Sequence, residues 1–162
     1  ETAGELELRL AEAGANLTLE VIDQIEKGTV LREPQDESQV VFAPKMTKDM
    51  GLIDWNKSAS EIEWHVRGMQ PWPNPVSFLH QPGKPGRRFV IRKVEIQDRN
   101  QTSPPGSVTE VNRDSIVVQT GSGSISILEI QPEGKRSMSV AEFLRGAQIA
   151  PGDLFSSSGD PV

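Results

Sequence analysis

The sequence predicts an α+β chain, with a helical front followed by a small antiparallel β-barrel or sandwich. Three observations predict it. Apolar residues recur at three- and four-residue steps through residues 4–27, which puts them on one helical face. From residue 78 onward, short alternating runs are separated by Gly-rich turns, the pattern of antiparallel strands. The chain also holds 14 Gly and 12 Pro beside a hydrophobic share of 35%, a composition that gives a modest core with many turns.

The front helix carries Leu6, Leu10, Ala13, Leu17, Val21 and Ile25 on one face; Gly14 is positioned to kink or divide it, and Gly28 to stop it. Residues 29–50 read as a connector, punctuated by Pro34 and Pro44, with an extended piece at Val40-Val41-Phe42. A second helix has Ser58 or Ser60 as N-cap, carries Ile62, Val66 and Met69 on one face, and must end at Pro71. Pro71-Trp72-Pro73-Asn74-Pro75 excludes helix, because each proline removes a donor and restricts its predecessor. Strands follow at Phe78–His80, Arg88–Gln97, Ser107–Asn112, Ser115–Thr120 and Ser124–Ile130. A short helix over Ser139–Arg145 has Ser139 and Glu142 at capping-box spacing, and the tail from Ser156 to Val162 reads as disordered.

Charge is unevenly spread. The net charge is −6, yet residues 1–37 hold ten acids against three bases. In residues 84–99, Lys84, Arg87, Arg88, Arg92, Lys93 and Arg99 face only Glu95 and Asp98, which predicts a locally basic rear surface. Cysteine is absent, so disulfides, thiolate chemistry and cysteine zinc sites are excluded, in keeping with a cytoplasmic location. No apolar stretch approaches the ~20 residues of a membrane span. The chain opens on Glu1 directly against a helical pattern, which is the expectation for a chain cut inside a longer one.

No residue set for a complete reaction is legible. His65 and His80 have no second histidine at ligand spacing, so no metal site is expected. Gly121–Ser124 lacks the lysine of a phosphate-binding loop and reads as a hairpin turn. Glu5, Glu12 and Glu20 occupy the wet face of the front helix, where carboxylates need no tuning. Trp55 and Trp72 read as anchors of a small core where the connector meets the barrel, with two prolines holding Trp72 rigid.

Three segments are distinctive. The first runs Phe42-Ala43-Pro44-Lys45-Met46-Thr47-Lys48 and on through Gly51-Leu52-Ile53-Asp54-Trp55; the second is Gln70-Pro71-Trp72-Pro73. The third is Gln131-Pro132-Glu133-Gly134-Lys135-Arg136-Ser137-Met138, followed by Phe143-Leu144-Arg145-Gly146. In this order they resemble methionyl-tRNA formyltransferase, whose patterns read Tyr-Ala-Pro-Lys-Ile-x-Lys, Gly-x-Ile-Asp-Trp, Asn-Pro-Trp-Pro-Gly, Gln-x-x-Gly-Lys-Lys-x-Met and Phe-Leu-x-Gly. The resemblance runs from about Glu1 to Leu154. Phe42 replaces the tyrosine, Gln70 the asparagine, Asn74-Pro75 stands for Gly-Ala, and Arg136 keeps the charge of the second lysine.

The resemblance implies a helical remnant of a Rossmann-like formyltransferase domain over residues 1–32, a linker over 33–50, an OB-like Greek-key barrel over 51–156 and a tail over 157–162. It implies formyl transfer from 10-formyltetrahydrofolate to initiator methionyl-tRNA, with the family's catalytic Asn, His and Asp upstream of the position matching Glu1. The chain alone is then expected to be inactive, to bind no cofactor and to contribute tRNA binding. Candidate phosphate contacts are Lys45 and Lys48 on the linker, Arg88, Arg92 and Lys93 on a strand, and Lys135 with Arg136 on a loop. Strict alternation puts Arg88 and Arg92 on one strand face and Lys93 on the other. Neither membrane nor DNA is expected as a partner, and dimerisation through the exposed front helix is. A related formyltransferase or folate-linked hydrolase acting on a small molecule, and a stand-alone binding module, remain open alternatives.

Overall fold

The computed structural model describes residues 1–97 and 102–160. The front segment is one uninterrupted helix, α1 (Ala3–Glu26); Gly14 neither kinks it enough to divide it nor meets a neighbour. Thr2 caps it in a capping box with Glu5. At the other end Gly28 takes φ 68°, while the amides of Gly28 and Thr29 donate to the carbonyls of Ile25 and Gln24. This is the Schellman arrangement that glycine permits. No residue of α1 is buried. Its N-terminal end is tied to the rest of the chain: the Gly4 amide donates to the Gln70 carbonyl at 3.0 Å, and Arg67 Nη1 donates to the carbonyl of Glu1, just before the helix, at 3.0 Å. In the connector, a 3₁₀ turn at Glu37–Gln39 precedes residues 40–42, which are exposed and pair with no strand.

The remainder is built around an antiparallel sheet. Its strands are β1 (Val76–His80), β2 (Arg87–Gln97), β3 (Val108–Val111), β4 (Ile116–Gln119), β5 (Ser124–Pro132), β6 (Met138–Ser139) and β7 (Leu154–Ser156). They neighbour one another in the order β3-β4-β5-β2-β1-β7, with β6 on β5. A bridge between Ser107 and Leu154 brings the two ends together, with Val108 N donating to Asp153 O at 2.8 Å and Phe155 N to Gly106 O at 2.8 Å. The result is a nearly closed OB-like barrel, which leaves little unpaired edge. Strands β6 and β7 were not foreseen. Each has two or three residues, too few for alternation to register in a sequence.

Helix α2 (Ala59–Gly68) lies on β2 and β5 and inserts Ala59, Ile62 and Val66 into the core. Helix α3 (Val140–Leu144) lies on β5 and sends Phe143 edge-on against Phe89, ring centroids 5.5 Å apart. Ser139 caps α3 by accepting from the Glu142 amide, but the Glu142 carboxylate turns to Arg136 instead of closing the expected box. Between them run Ile91, Ile116, Ile125, Ile127 and Ile130, all fully buried, which supply the dominant favourable term. The hairpin at Gly121 is welded to the chain before α2: its amide donates to the carbonyls of Trp55 and Lys57 at 2.9 Å each. A Cβ there would sit 1.8 Å from the Asn56 carbonyl oxygen, so only glycine fits.

The α2 cap has a pH consequence. The Ser58 amide and hydroxyl both donate to the Glu61 carboxylate, at 2.9 and 2.7 Å, and hold it below the ordinary glutamate range. A depressed folded-state pKa contributes stability that is present above the unfolded value, near ~4.3, and is lost as pH falls through the folded value. Thermal unfolding followed from pH 6 to about 3 should show a falling midpoint, and Glu61→Gln should flatten that fall; equal slopes in both proteins would remove the cap from the account.

Candidate nucleic-acid interface

Strand β2 is the base of the candidate surface, and its register departs from simple alternation. Ile91 pairs with Ile130 but Lys93 with Glu129, so Arg92 is an extra residue with no partner; one further shift between Lys93 and Val94 follows. The core face therefore passes from Ile91 to Val94, both buried, while Lys93 is exposed. The expectation that Lys93 faces away from Arg92 assumed strict alternation, and the bulge removes its basis.

Arg92 is half-buried and engaged through both terminal nitrogens. Its Nη1 donates to Asn74 Oδ1 at 2.6 Å and its Nη2 to Gln131 Oε1 at 2.5 Å, while its carbonyl accepts from Gln70 Nε2 at 2.9 Å. Burial pushes its pKa below the usual arginine value without threatening its charge. Gln131 passes the tie on by donating to the Lys135 carbonyl at 2.9 Å. Arg92 thus clamps two irregular segments. One is the turn of Trp72, with cis peptides before Pro71 and Pro73 and Asn74 at φ 75°; the other is the turn after β5.

The other candidates fall into two groups. Arg88 is half-buried, with its carbonyl accepting from Glu133 N at 3.2 Å, and Lys135 and Arg136 are exposed on that same turn, where Arg136 pairs with Glu142. The structure puts Lys135 and Arg136 on one turn and brings the Arg88 backbone beside it. Lys45 and Lys48 are exposed on the connector, Lys48 opening a 3₁₀ turn over Lys48–Gly51, and no hydrogen bond or ion pair among the described residues joins them to the turn after β5. Two cations not singled out from the sequence, Lys84 and Arg87, line a common cavity with Lys135. The signal for them was the basic run around β2, but their proximity to Lys135 depends on the β2–β5 pairing.

The two tryptophans part company. Trp55 is 4% exposed, donates from Nε1 to Ser77 Oγ at 2.9 Å and packs on Phe155 at 5.6 Å. Trp72 is 51% exposed. The Gly51–Trp55 motif is explained by packing: Ile53 is fully buried, and a Cβ on Gly51 would lie 2.1 Å from the Asn74 carbonyl oxygen. Among the described residues no group of three His, Asp or Glu could hold a metal ion, and no helix is long and apolar enough to cross a membrane. His80 Nε2 lies 2.9 Å from Ser156 Oγ and 2.8 Å from the Ser158 carbonyl. These contacts fall within the expected disordered tail, whose residues 161–162 lie outside the described residues.

Comparison with known proteins decides the family. Residues 45–148 match the model of the formyl transferase C-terminal domain. The chain belongs to that family. A methionyl-tRNA formyltransferase from Desulfotalea psychrophila is 42% identical over 149 residues, covering 92% of this chain and 45% of that protein. One from Citrifermentans bemidjiense is 36% identical over 162 residues, covering 100% of this chain and 49% of that protein. The motif-based resemblance is borne out, and the chain spans about half the length of the curated relatives it matches. Among solved structures, a HypX variant from Aquifex aeolicus aligns with TM-score 0.54 at 20% identity, covering 83% of this chain and 24% of that one. HypX in complex with tetrahydrofolic acid aligns with TM-score 0.53 at 18% identity, covering 78% and 22%. Both likenesses concern the fold.

Within this formyl transferase C-terminal domain, Arg92 serves structure first. Arg92→Ala should lower unfolding stability by about 1–3 kcal/mol, because it leaves Asn74 and Gln131 without their charged donor. Arg92→Lys should recover little of it, since one ammonium cannot span both acceptors as the planar fork does. Chemical denaturation of the three proteins checks this, and a stable Arg92→Ala would show that the clamp is dispensable.

Proposed function

We propose that this chain is the rear part of a methionyl-tRNA formyltransferase, the enzyme that moves a formyl group from 10-formyltetrahydrofolate to the amino group of initiator methionyl-tRNA. Its own task is to bind and orient the RNA, and it carries no catalysis or cofactor binding by itself. The identity to relatives of that name along nearly the whole chain carries the reading. The proposed division is a helical piece of the catalytic part over 1–32, a linker over 33–50, the barrel over 51–156 and a tail over 157–162.

The physical support is the pair Lys135 and Arg136 on one exposed turn beside the Arg88 backbone, on a barrel whose core is filled by apolar side chains. Cations on a folded platform can meet backbone phosphates without being needed for the fold. Lys45 and Lys48 would add contacts from the linker, and Lys93 from the outer face of β2. Initiator tRNA titrated against the chain across a salt series should bind weakly, with affinity falling steeply as salt rises. Lys135→Ala with Arg136→Ala should weaken it about tenfold or more at low salt. Absence of any binding at low salt would overturn the RNA reading for this chain.

The apolar face of α1 belongs to the same reading. Leu6, Leu10, Leu17 and Ile25 are all exposed, and their proposed cover is the remainder of the catalytic part. In the chain on its own a second copy would take that place, so light scattering should show mass rising toward a dimer with concentration. A constant monomer mass would argue against it.

A further inference from the structure

The barrel also contains a concave basic site. The β1–β2 turn, the turn after β5 and α3 surround a cavity of about 420 Å³, within the size range of ligand-binding clefts. Lys84, Arg87 and Lys135 line it, and the sole carboxylate among its lining residues, Glu142, accepts from Arg136. Among the described residues neither Arg87 nor Lys135 enters an ion pair. Lys84 Nζ donates only to the neutral Gln81 Oε1, at 3.2 Å. Three cations gathered around one cavity repel one another, so an anion placed among them gains from all three.

The walls are held independently of any ligand. The Arg87 guanidinium lies over the Phe89 ring, 5.3 Å from its centroid, and 6.0 Å from that of Phe143, contacts that restrict its orientation. Gln81 Nε2 donates to the Gln148 carbonyl at 3.0 Å and to the buried Asp153 Oδ2 at 2.6 Å. That pair ties the end of β1 to the segment after α3. A pre-shaped cleft with one planar guanidinium and two ammonium point charges suits a tetrahedral oxyanion.

We propose that this cavity is a phosphate-binding pocket, with Lys84, Arg87 and Lys135 holding the oxyanion and a backbone phosphate of RNA as its occupant. The choice of occupant rests on the RNA reading above; the pocket itself does not. The experiment has two arms on the intact chain. In the first, inorganic phosphate is titrated and backbone amide shifts are followed by NMR. Saturable shifts at Lys84, Gly86, Gly134 and Lys135 are expected, and they should vanish in the Lys84→Gln/Lys135→Gln double variant, which leaves the Arg87 stacking in place. In the second, the salt dependence of initiator tRNA binding is compared. The double variant should lose about 0.7–0.9 of log–log slope, the share of one phosphate, while the exposed Lys57→Gln control keeps the full slope.

Phosphate saturation with no tRNA binding by the unaltered chain would keep the pocket and overturn its RNA occupant, leaving a free phosphate compound as the ligand. A lost slope without phosphate saturation would support the RNA phosphate as the source. An unchanged slope together with no saturable shift would overturn the pocket.

Discussion

A lysine cannot be buried among isoleucines without a partner, and β2 has to satisfy that constraint at its midpoint. Phe89 and Ile91 point into the core, and strict alternation would send Lys93 after them. Inserting Arg92 as a bulged residue hands the next core position to Val94 and leaves Lys93 in water. The inserted residue is itself charged and half-buried, so it needs acceptors. It takes Asn74 from the turn ahead of β1 and Gln131 from the end of β5. Much of the surface geometry depends on that resolution.

Through Gln131 the tie reaches the backbone of Lys135, and on β2 itself Arg87 leans on the rings of Phe89 and Phe143. Cations from two separate stretches of chain, residues 84–87 and Lys135, are set around one cavity. The core beneath does not need their charge. Isoleucine, valine and phenylalanine side chains fill it, with a short polar relay from buried Trp55 and Ser77 to the half-buried Ser156 carbonyl at one side. The core is apolar, while the cavity's cations sit at its rim, on the β1–β2 turn, the start of β2 and the turn after β5.

Much of the fold was legible because local physics decides it. Gly28 stops α1, and Ser58, one of the two serines the sequence offered, caps α2 through hydrogen bonds between near neighbours, and β2 and β5 announce themselves by length. The bulge at Arg92 was not legible, since it answers a packing conflict between strands more than thirty residues apart. Nor were β6 and β7, which exist only because partners are already in place. Lys84 and Arg87 were visible as charge but not as site residues, because nothing local joins residue 84 to residue 135. The Gly51–Trp55 motif shows the converse. Its glycine and its buried side chains serve packing, so a pattern that identifies a family need not mark its chemistry.

Residues 40–42 and the apolar face of α1 give the remaining contrast. In the barrel most large apolar side chains are buried, with Trp64, Trp72 and Ile96 among the exposed exceptions; in α1 not one is buried. Capping explains why the helix forms locally, but a 24-residue helix gains most of its stability from a covered face. Its N-terminal end is held, at Arg67 and Gln70. Those anchors adjoin the turn of Trp72, which is itself fixed to Arg92 through Asn74. The bulge that keeps Lys93 out of the core therefore also sets the platform from which α1 departs. Any surface that covers α1 would be positioned relative to the basic turns by one short chain of hydrogen bonds, and geometry at the two ends of the barrel would not be independent.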